Sequence, residues 1–150
     1  MRALIQRVSQ ALVSIEGEEH SAIGQGYLIL LGVGQEDSEE QAQRLWSKIS
    51  RLRIFYDDQG KTNLSIQDVE GQVLVVSQFT LYADCKKGNR PSFGKAGDPG
   101  EAQRLYGFFC DLARQDLGDE RVGTGSFGAD MQVSLINDGP FTIWLDTDSL

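Results

Sequence analysis

Histidine is almost absent from this chain: His20 is the only imidazole in 150 residues. With it goes the usual supply of side-chain general bases. Cysteine is nearly as scarce. Cys85 and Cys110 make no disulfide framework and lack the CxxC spacing of a zinc site, so together with His20 they leave too few ligands for a zinc centre of the usual Cys/His kind. Neither a metal nor a cofactor is expected, and a reducing, cytoplasmic compartment fits two unpaired thiols. Long apolar runs are missing too. The best, Tyr27–Val33, is far short of the roughly 20 residues of a membrane helix, and the start, Met-Arg-Ala-Leu-Ile-Gln-Arg-Val, lacks the apolar segment of a secretory signal. No membrane partner is expected. Basic residues are outnumbered 22 to 14, giving a net charge of −8. That balance argues against nucleic-acid binding by the whole surface and leaves room only for a local basic footprint.

What is present is ordinary for a globular protein: 40% hydrophobic and 24% charged residues, with no internal repeat, low-complexity tract or linker. One domain over residues 1–150 is expected. The chain is organised around residues 72–93. Val73, Leu74, Val75 and Val76 read as a strand buried on both faces. The strand then meets Ser77, Gln78 and Thr80 with no Gly or Pro to mark a turn. Such polar groups at a buried strand end need partners from the fold or from a ligand, since each unpaired one costs about 1–3 kcal/mol. A basic loop follows, with Lys86, Lys87, Arg90 and Lys95 among Gly88, Asn89, Pro91 and Ser92.

Elsewhere, residues 2–15 read as one or two strands, Glu16–His20 as a turn with His20 in a surface loop, and Gly26–Gly34 as a second buried strand. Ser38 and Gln41 form a capping-box pattern ahead of Ala42, Leu45, Trp46, Ile49 and Leu52 at helical spacing. The opposite face carries Arg44, Lys48 and Arg51, either a solvated face or a phosphate-contacting stripe. Short strands are expected at Ile54–Tyr56 and Asn63–Ile66. A second helix starts from Asp98 with Pro99 in its first turn and Glu101 completing another capping box, and stops at Gly118. Met131–Leu135 and Phe141–Leu145 alternate around Asn137-Asp138-Gly139-Pro140, which reads as a hairpin that Pro140 complicates. The sum is an α/β domain with mixed or antiparallel sheets and two main helices.

The inventory narrows the chemistry. Ser77 or Thr80 could be a nucleophile only with a base, and nothing in the sequence brings His20 near. There is no G-x-S-x-G elbow, the glycines at 123, 125 and 128 do not end in a phosphate-binding Gly-Lys-Ser/Thr, and no spacing pairs Asp84, Asp130, Asp146 or Asp148. An enzyme built from these residues would rest on positioned hydrogen-bond donors, each worth about 2.7–4 kcal/mol toward an oxyanion, and on a group carried by the substrate.

Ser77-Gln78-Phe79-Thr80-Leu81, Lys87-Gly88-Asn89-Arg90-Pro91-Ser92-Phe93 and Asn137-Asp138-Gly139-Pro140-Phe141-Thr142 resemble the signature stretches of D-aminoacyl-tRNA deacylases, as do the first eight residues and Thr124–Met131. The likeness runs from residue 1 to about 146. Phe141 departs from the family's usual valine and Thr62 from its frequent methionine; the first bears on pocket volume. The resemblance implies a barrel-like core and a homodimer that cleaves the ester between tRNA and a D-amino acid, or a mischarged glycine. It implies that Ser77, Gln78, Phe79 and Thr80 line the catalytic pocket. Gly139-Pro140, with a cis bond and supplied by the partner subunit, would exclude L-amino acids, with Arg7 as support. Phe127 and Met131 would hold the adenosine, unless they are plain core, and Lys86, Lys87 and Arg90 would meet acceptor-end phosphates. Two other readings stay open: a hydrolase using the Thr80 hydroxyl as nucleophile, and an RNA-binding dimer without chemistry.

Overall fold

A computed structural model describes residues 1–150. The alternating N-terminal stretch forms one long strand, β1 (Arg2–Ile15). Glu16 and Gly17, both at positive φ, reverse the chain into β2 (Glu18–Ile23), which pairs antiparallel with the second half of β1. β3 (Gly26–Gly32) pairs antiparallel with the first half, from Arg2 opposite Gly32 to Val8 opposite Gly26. Helix α1 (Glu39–Arg51) starts from the reciprocal Ser38–Gln41 capping box. A small hairpin of β4 (Phe55–Tyr56) and β5 (Thr62–Leu64) leads to β6 (Gln72–Ser77), parallel to β3. Helix α2 (Pro99–Leu117) crosses back, and β7 (Val122–Thr124) joins parallel to β6. Last comes β8 (Gln132–Asp146), antiparallel along the free side of β1 for almost its whole length.

The main sheet runs β2-β1-β3-β6-β7, with β8 paired to β1. Its two ends approach one another: Gly123 of β7 faces Ser21 and Ile23 of β2 so closely that a side chain there would overlap the Ser21 hydroxyl. The sheet is thus curled into a nearly closed barrel. Because side chains alternate along a strand, each strand serves two apolar layers. Ile5, Tyr27, Ile29, Leu31, Val73 and Val75 pack against Leu45, Ile49, Leu105 and Phe109 of the two helices. Val8, Val13, Leu28, Leu74 and Val76 fill the other side, against Met131, Val133 and Leu135. The unbroken apolar run at 73–76 is explained: neighbours in it go to opposite cores.

Three expectations need correction. The hairpin across Asp138–Pro140 does not form; residues 132–146 are one strand, because both halves pair with β1 and not with each other. Asp138, Gly139 and Pro140 sit where the register with β1 shifts, between Gln6 and Gln10. Proline lacks the N–H a ladder needs, and a bulge absorbs that lack. His20 lies in β2, exposed, and not in a loop, since the turn is completed at Gly17. Asp98 does cap α2, accepting from the Gly100 and Glu101 N–H groups, but the Glu101 carboxylate turns to Arg104 in place of closing a capping box. No helix is long and apolar enough to cross a membrane.

The packing of α2 gives a simple test. Cys85 is exposed, whereas Cys110 is buried against the sheet and burial pushes its thiol up to about 11. The thiolate is the reactive species. At pH 8 an aromatic disulfide reagent should therefore titrate one thiol quickly in the native protein and two after unfolding. Two fast thiols in the native state would contradict this packing.

Candidate active site

The polar end of β6 opens into a cleft of about 650 Å³. Ser77, Gln78 and Phe79 form its floor, between two walls. One wall is the loop from Phe93 to Gly97 and the start of α2. This loop is pressed onto the end of β3: the Gly97 N–H donates to the Val33 carbonyl at 2.9 Å, and a Cβ at Gly97 would lie 2.9 Å from the Gly34 oxygen. The other wall is Phe127–Met131 with Val133. It is fixed from behind, where the Gly125 N–H reaches the Val75 carbonyl at 3.1 Å and the Met131 sulfur lies over Gly125. The Tyr106 ring of α2 contacts Phe127 with centroids 6.1 Å apart, and its hydroxyl donates to the Val75 carbonyl at 2.7 Å.

The chain leaves β6 through a tight 3-10 turn at Phe79–Tyr82. The Gln78 N–H still bonds to β3, at the Leu31 carbonyl, 2.8 Å away. The first bond within the turn runs from the Leu81 N–H to the Gln78 carbonyl at 3.2 Å, so the N–H groups of Phe79 and Thr80 have no acceptor inside the turn. The Thr80 hydroxyl accepts from the Gln78 side-chain amide and lies just outside the cleft lining. Phe79, 54% exposed, meets the Phe93 ring edge to face at 5.0 Å. The two rings remain partly exposed, so the cleft offers open aromatic surface beside its polar groups.

The basic residues follow at once. Asp84 and Ser92 exchange main-chain hydrogen bonds at 2.7 and 2.9 Å, closing a loop whose exposed tip carries Lys86, Lys87 and Arg90. Asp130 is the one carboxylate on the cleft lining, and His20 is not part of it. Nowhere do three His, Cys, Asp or Glu side chains converge as metal ligands.

Gly139 and Pro140 belong to a second locus, outside this chain's own cleft and exposed on β8. Their peptide bond is cis. Arg7, only 1% exposed, anchors them from β1. Its guanidinium donates to the Asp138 carbonyl at 2.9 Å and the Ile54 carbonyl at 2.6 Å, and lies 3.5 Å from the Asp138 carboxylate. The rings of Tyr56 and Phe141 sit 4.6 and 4.4 Å from it. A buried cation tolerates loss of water only when its donors are used in this way. Phe141 thus has a contact that explains its size, one a valine would not make in the same form. Asn137, read in the sequence only as part of the turn, does the rest. Its amide donates to the Arg7 and Phe141 carbonyls at 3.0 and 2.9 Å and its oxygen accepts from the Phe141 N–H at 3.0 Å. One side chain replaces the ladder bonds that the bulge interrupts.

The structure therefore brings Ser77, Gln78, Phe79, Phe127 and Met131 together, keeps Thr80 beside them, and holds Arg7 with Gly139-Pro140 apart. It adds Phe93, Asn137, Tyr56 and Phe141. Phe93 and Asn137 both stand in stretches that carry the family resemblance, but nothing in the sequence assigned either of them a contact.

These features define a class first: an α/β barrel-like protein whose main cleft is lined mostly by apolar and neutral polar residues, with Asp130 its one carboxylate. Comparison with known proteins supplies the family. Residues 4–146 match the family model described as D-Tyr-tRNA(Tyr) deacylase. The chain is 57% identical over 145 residues to a D-aminoacyl-tRNA deacylase of Vibrio cholerae, covering 97% of this chain and 99% of that one. It is 56% identical over 146 residues to one of Magnetococcus marinus, covering 97% and 96%. A solved structure titled c-Myc DNA Unwinding Element Binding Protein superposes with a TM-score of 0.93 at 41% identity, over 97% of this chain and 98% of that one. Another, of a probable eukaryotic D-amino acid tRNA deacylase, shares the fold with a TM-score of 0.84 at 19% identity. The chain belongs to the D-Tyr-tRNA(Tyr) deacylase family.

Replacing Asn137 with alanine removes three hydrogen bonds that nothing else can make. Chemical denaturation should register a loss of about 2–3 kcal/mol, at roughly 1 kcal/mol per bond. A change below about 0.5 kcal/mol would mean the bulge is held without it.

Proposed function

We propose that this chain is a D-aminoacyl-tRNA deacylase, a hydrolase of carboxylic esters that works as a homodimer in the cytoplasm. Its substrate is the ester joining a D-amino acid, or glycine on a non-cognate tRNA, to the terminal adenosine. The observation that carries the reading is the cleft itself, with Asp130 its one charged side chain and no imidazole on it. Hydrolysis there rests on positioned donors.

In this scheme the ester carbonyl faces the Phe79 and Thr80 N–H groups, which have no acceptor in their own turn. Water adds to the carbonyl carbon, the oxyanion takes those hydrogen bonds, and the C–O bond to the ribose breaks to leave free tRNA and the amino acid. The neighbouring 2′-hydroxyl of the substrate assists in place of a side-chain base. Ser77 and Gln78 orient the amino acid, and Phe127 and Met131 hold the adenine, where stacking on an aromatic contributes about 1–3 kcal/mol. Lys86, Lys87 and Arg90 meet acceptor-end phosphates, an interaction blind to sequence and sensitive to salt.

Gly139 and Pro140 are the chiral filter, entering the partner's cleft. Three observations support a second copy on this side. The pair lies outside its own cleft, β8 pairs along one edge only, and Ile136 and Trp144 are 53% and 48% exposed on that strand. An open strand edge of this length calls for a cover. Rejection by collision with rigid backbone suits the task, because apolar contacts separate a methylene by only about 1–3 kcal/mol. Arg7 and Asn137 supply the rigidity.

The relative named for DNA binding favours a second reading, a nucleic-acid binder without chemistry. Matched D- and L-aminoacyl-tRNA decide between them: the proposal expects free amino acid from the D-ester alone. Release from neither leaves the binder, and release from both removes the filter.

Two substitutions address the roles. Thr80→Ala should turn over within about threefold of the parent, whereas a loss of several decades would revive the hydroxyl as nucleophile. A Cβ on Gly139 would overlap the Phe141 backbone nitrogen. Gly139→Ala should therefore shift the filter and cut D-ester turnover by about 100-fold, the scale for misplacement near 1 Å. Unchanged kinetics would take Gly139 out of the site.

A further inference from the structure

A groove of about 540 Å³ runs along the outer face of α1. Arg44, Lys48, Arg51 and Arg53 line it with Ser47, Leu52 and Leu150, and no acidic side chain does. That is unusual on a protein with a net charge of −8. Several cations elsewhere are paired, Arg2 with Asp146, Arg7 with Asp138, Arg104 with Glu39 and Glu101, and Arg114 with Asp111, while Arg121 is held by carbonyls and by Gln67. The four in the groove form no ion pair. Arg51 and Arg53 also line the neighbouring hollow with Asp68 and Asp116, where the Asp68 carboxyl, held below its usual range mainly by hydrogen bonds from Ser65, also feels the Arg53 charge.

These cations are nonetheless oriented. Arg51 donates to the Ser47 carbonyl at 2.9 Å and to its hydroxyl. Arg53 donates to the Asn63 carbonyl at 3.0 Å and to its side-chain oxygen. Arg44 donates to the Leu150 main-chain oxygen at 2.7 Å. Neutral groups of Ser47 and Asn63 thus hold the Arg51 and Arg53 guanidinium planes. Such a fork is matched to phosphate oxygens. Arg44, Lys48 and Arg51 stand at i, i+4 and i+7, a row about 10 Å long at 1.5 Å per residue, long enough to meet successive phosphates of one strand.

The groove is also tied to the rest of the site. Arg53 is followed by Ile54, whose carbonyl takes the same Arg7 guanidinium that holds Asp138. It is fixed to the block that carries Gly139 and Pro140.

We infer that this groove is a second phosphate-binding surface, separate from the Lys86–Arg90 loop, that grips the double-helical stem of the tRNA while the cleft holds its esterified end. The inference rests on the deacylase reading and deepens it. An RNA backbone is the fitting occupant, since the groove offers a row of cations and only Leu52 and Leu150 as apolar surface, too little for a membrane or an apolar peptide.

The test compares the parent with Lys48→Gln, which removes a charge that hydrogen-bonds to nothing in the protein, and with the fourfold variant R44Q/K48Q/R51Q/R53Q. Each is given a D-aminoacyl-tRNA and the same D-amino acid esterified to a CCA trinucleotide. For the tRNA, KM should rise about twofold or more in Lys48→Gln and about tenfold or more in the fourfold variant, with kcat held. The salt dependence of kcat/KM should flatten by about 0.9 log units per decade of salt for each phosphate no longer neutralised. Trinucleotide kinetics should stay as in the parent. An unchanged tRNA KM and salt slope would overturn the inference, and so would equal declines on both substrates, which would mark a structural role. Direct titration with uncharged tRNA, labelled at its 3′ end, keeps the result independent of catalysis. If the parent cleaves neither ester, the deacylase reading fails on its own. Weaker tRNA binding by the fourfold variant would still uphold the groove, and equal binding would still overturn it.

Discussion

Pairing of β8 along β1 is the constraint on which the other features depend. It gives the long N-terminal strand a partner on each side, so that β1 is the axis around which the sheet curls. It also forces two long strands to stay in register over a stretch that contains a proline. The ladder yields at two adjacent register shifts, Gln6/Val8 and Val8/Gln10, and the first is where Asp138, Gly139 and Pro140 stand proud of the sheet. A bulge costs ladder bonds, and buried or half-buried polar groups must find others. Arg7 and Asn137 supply them, which turns a local defect into a rigid, exposed feature.

The electrostatics follow a division of labour. Cations near carboxylates knit the barrel and helices together, whereas most of those without an ion pair lie in two places, the loop at 84–92 and the outer face of α1. An acidic surface elsewhere repels a polyanion in the wrong orientation, so a few uncompensated cations are enough to steer one. The cleft lining carries a single charged side chain, Asp130. So few charges suit chemistry in which an oxyanion is met by main-chain donors.

Much of the fold was legible in short stretches of the chain. The capping box at Ser38, the Asp98 cap with Pro99, and the helical spacing of Leu45, Ile49, Leu105 and Phe109 are local signals written in a few neighbouring residues. So is the double-faced run at 73–76. The hairpin expectation failed because it used the same local rule where a distant partner decided. Asp-Gly between alternating runs turns back on itself only if the two runs pair with one another, and here β1 claims both.

The candidate site divides the same way. Residue types and short motifs determined that the chain is poor in side-chain bases, that Ser77–Thr80 ends a buried strand in polar groups, and that a basic loop comes next, because these depend on composition and near neighbours alone. Only the tertiary structure decided that Phe93 and Phe127 face one cleft, that His20 is elsewhere, and that Asn137 and a buried Arg7 hold residues 138–140. Those interactions join positions up to 131 residues apart. Pairing over such distances is selected by the packing and hydrogen-bond balance of the whole barrel, and no stretch of sequence carries that balance by itself.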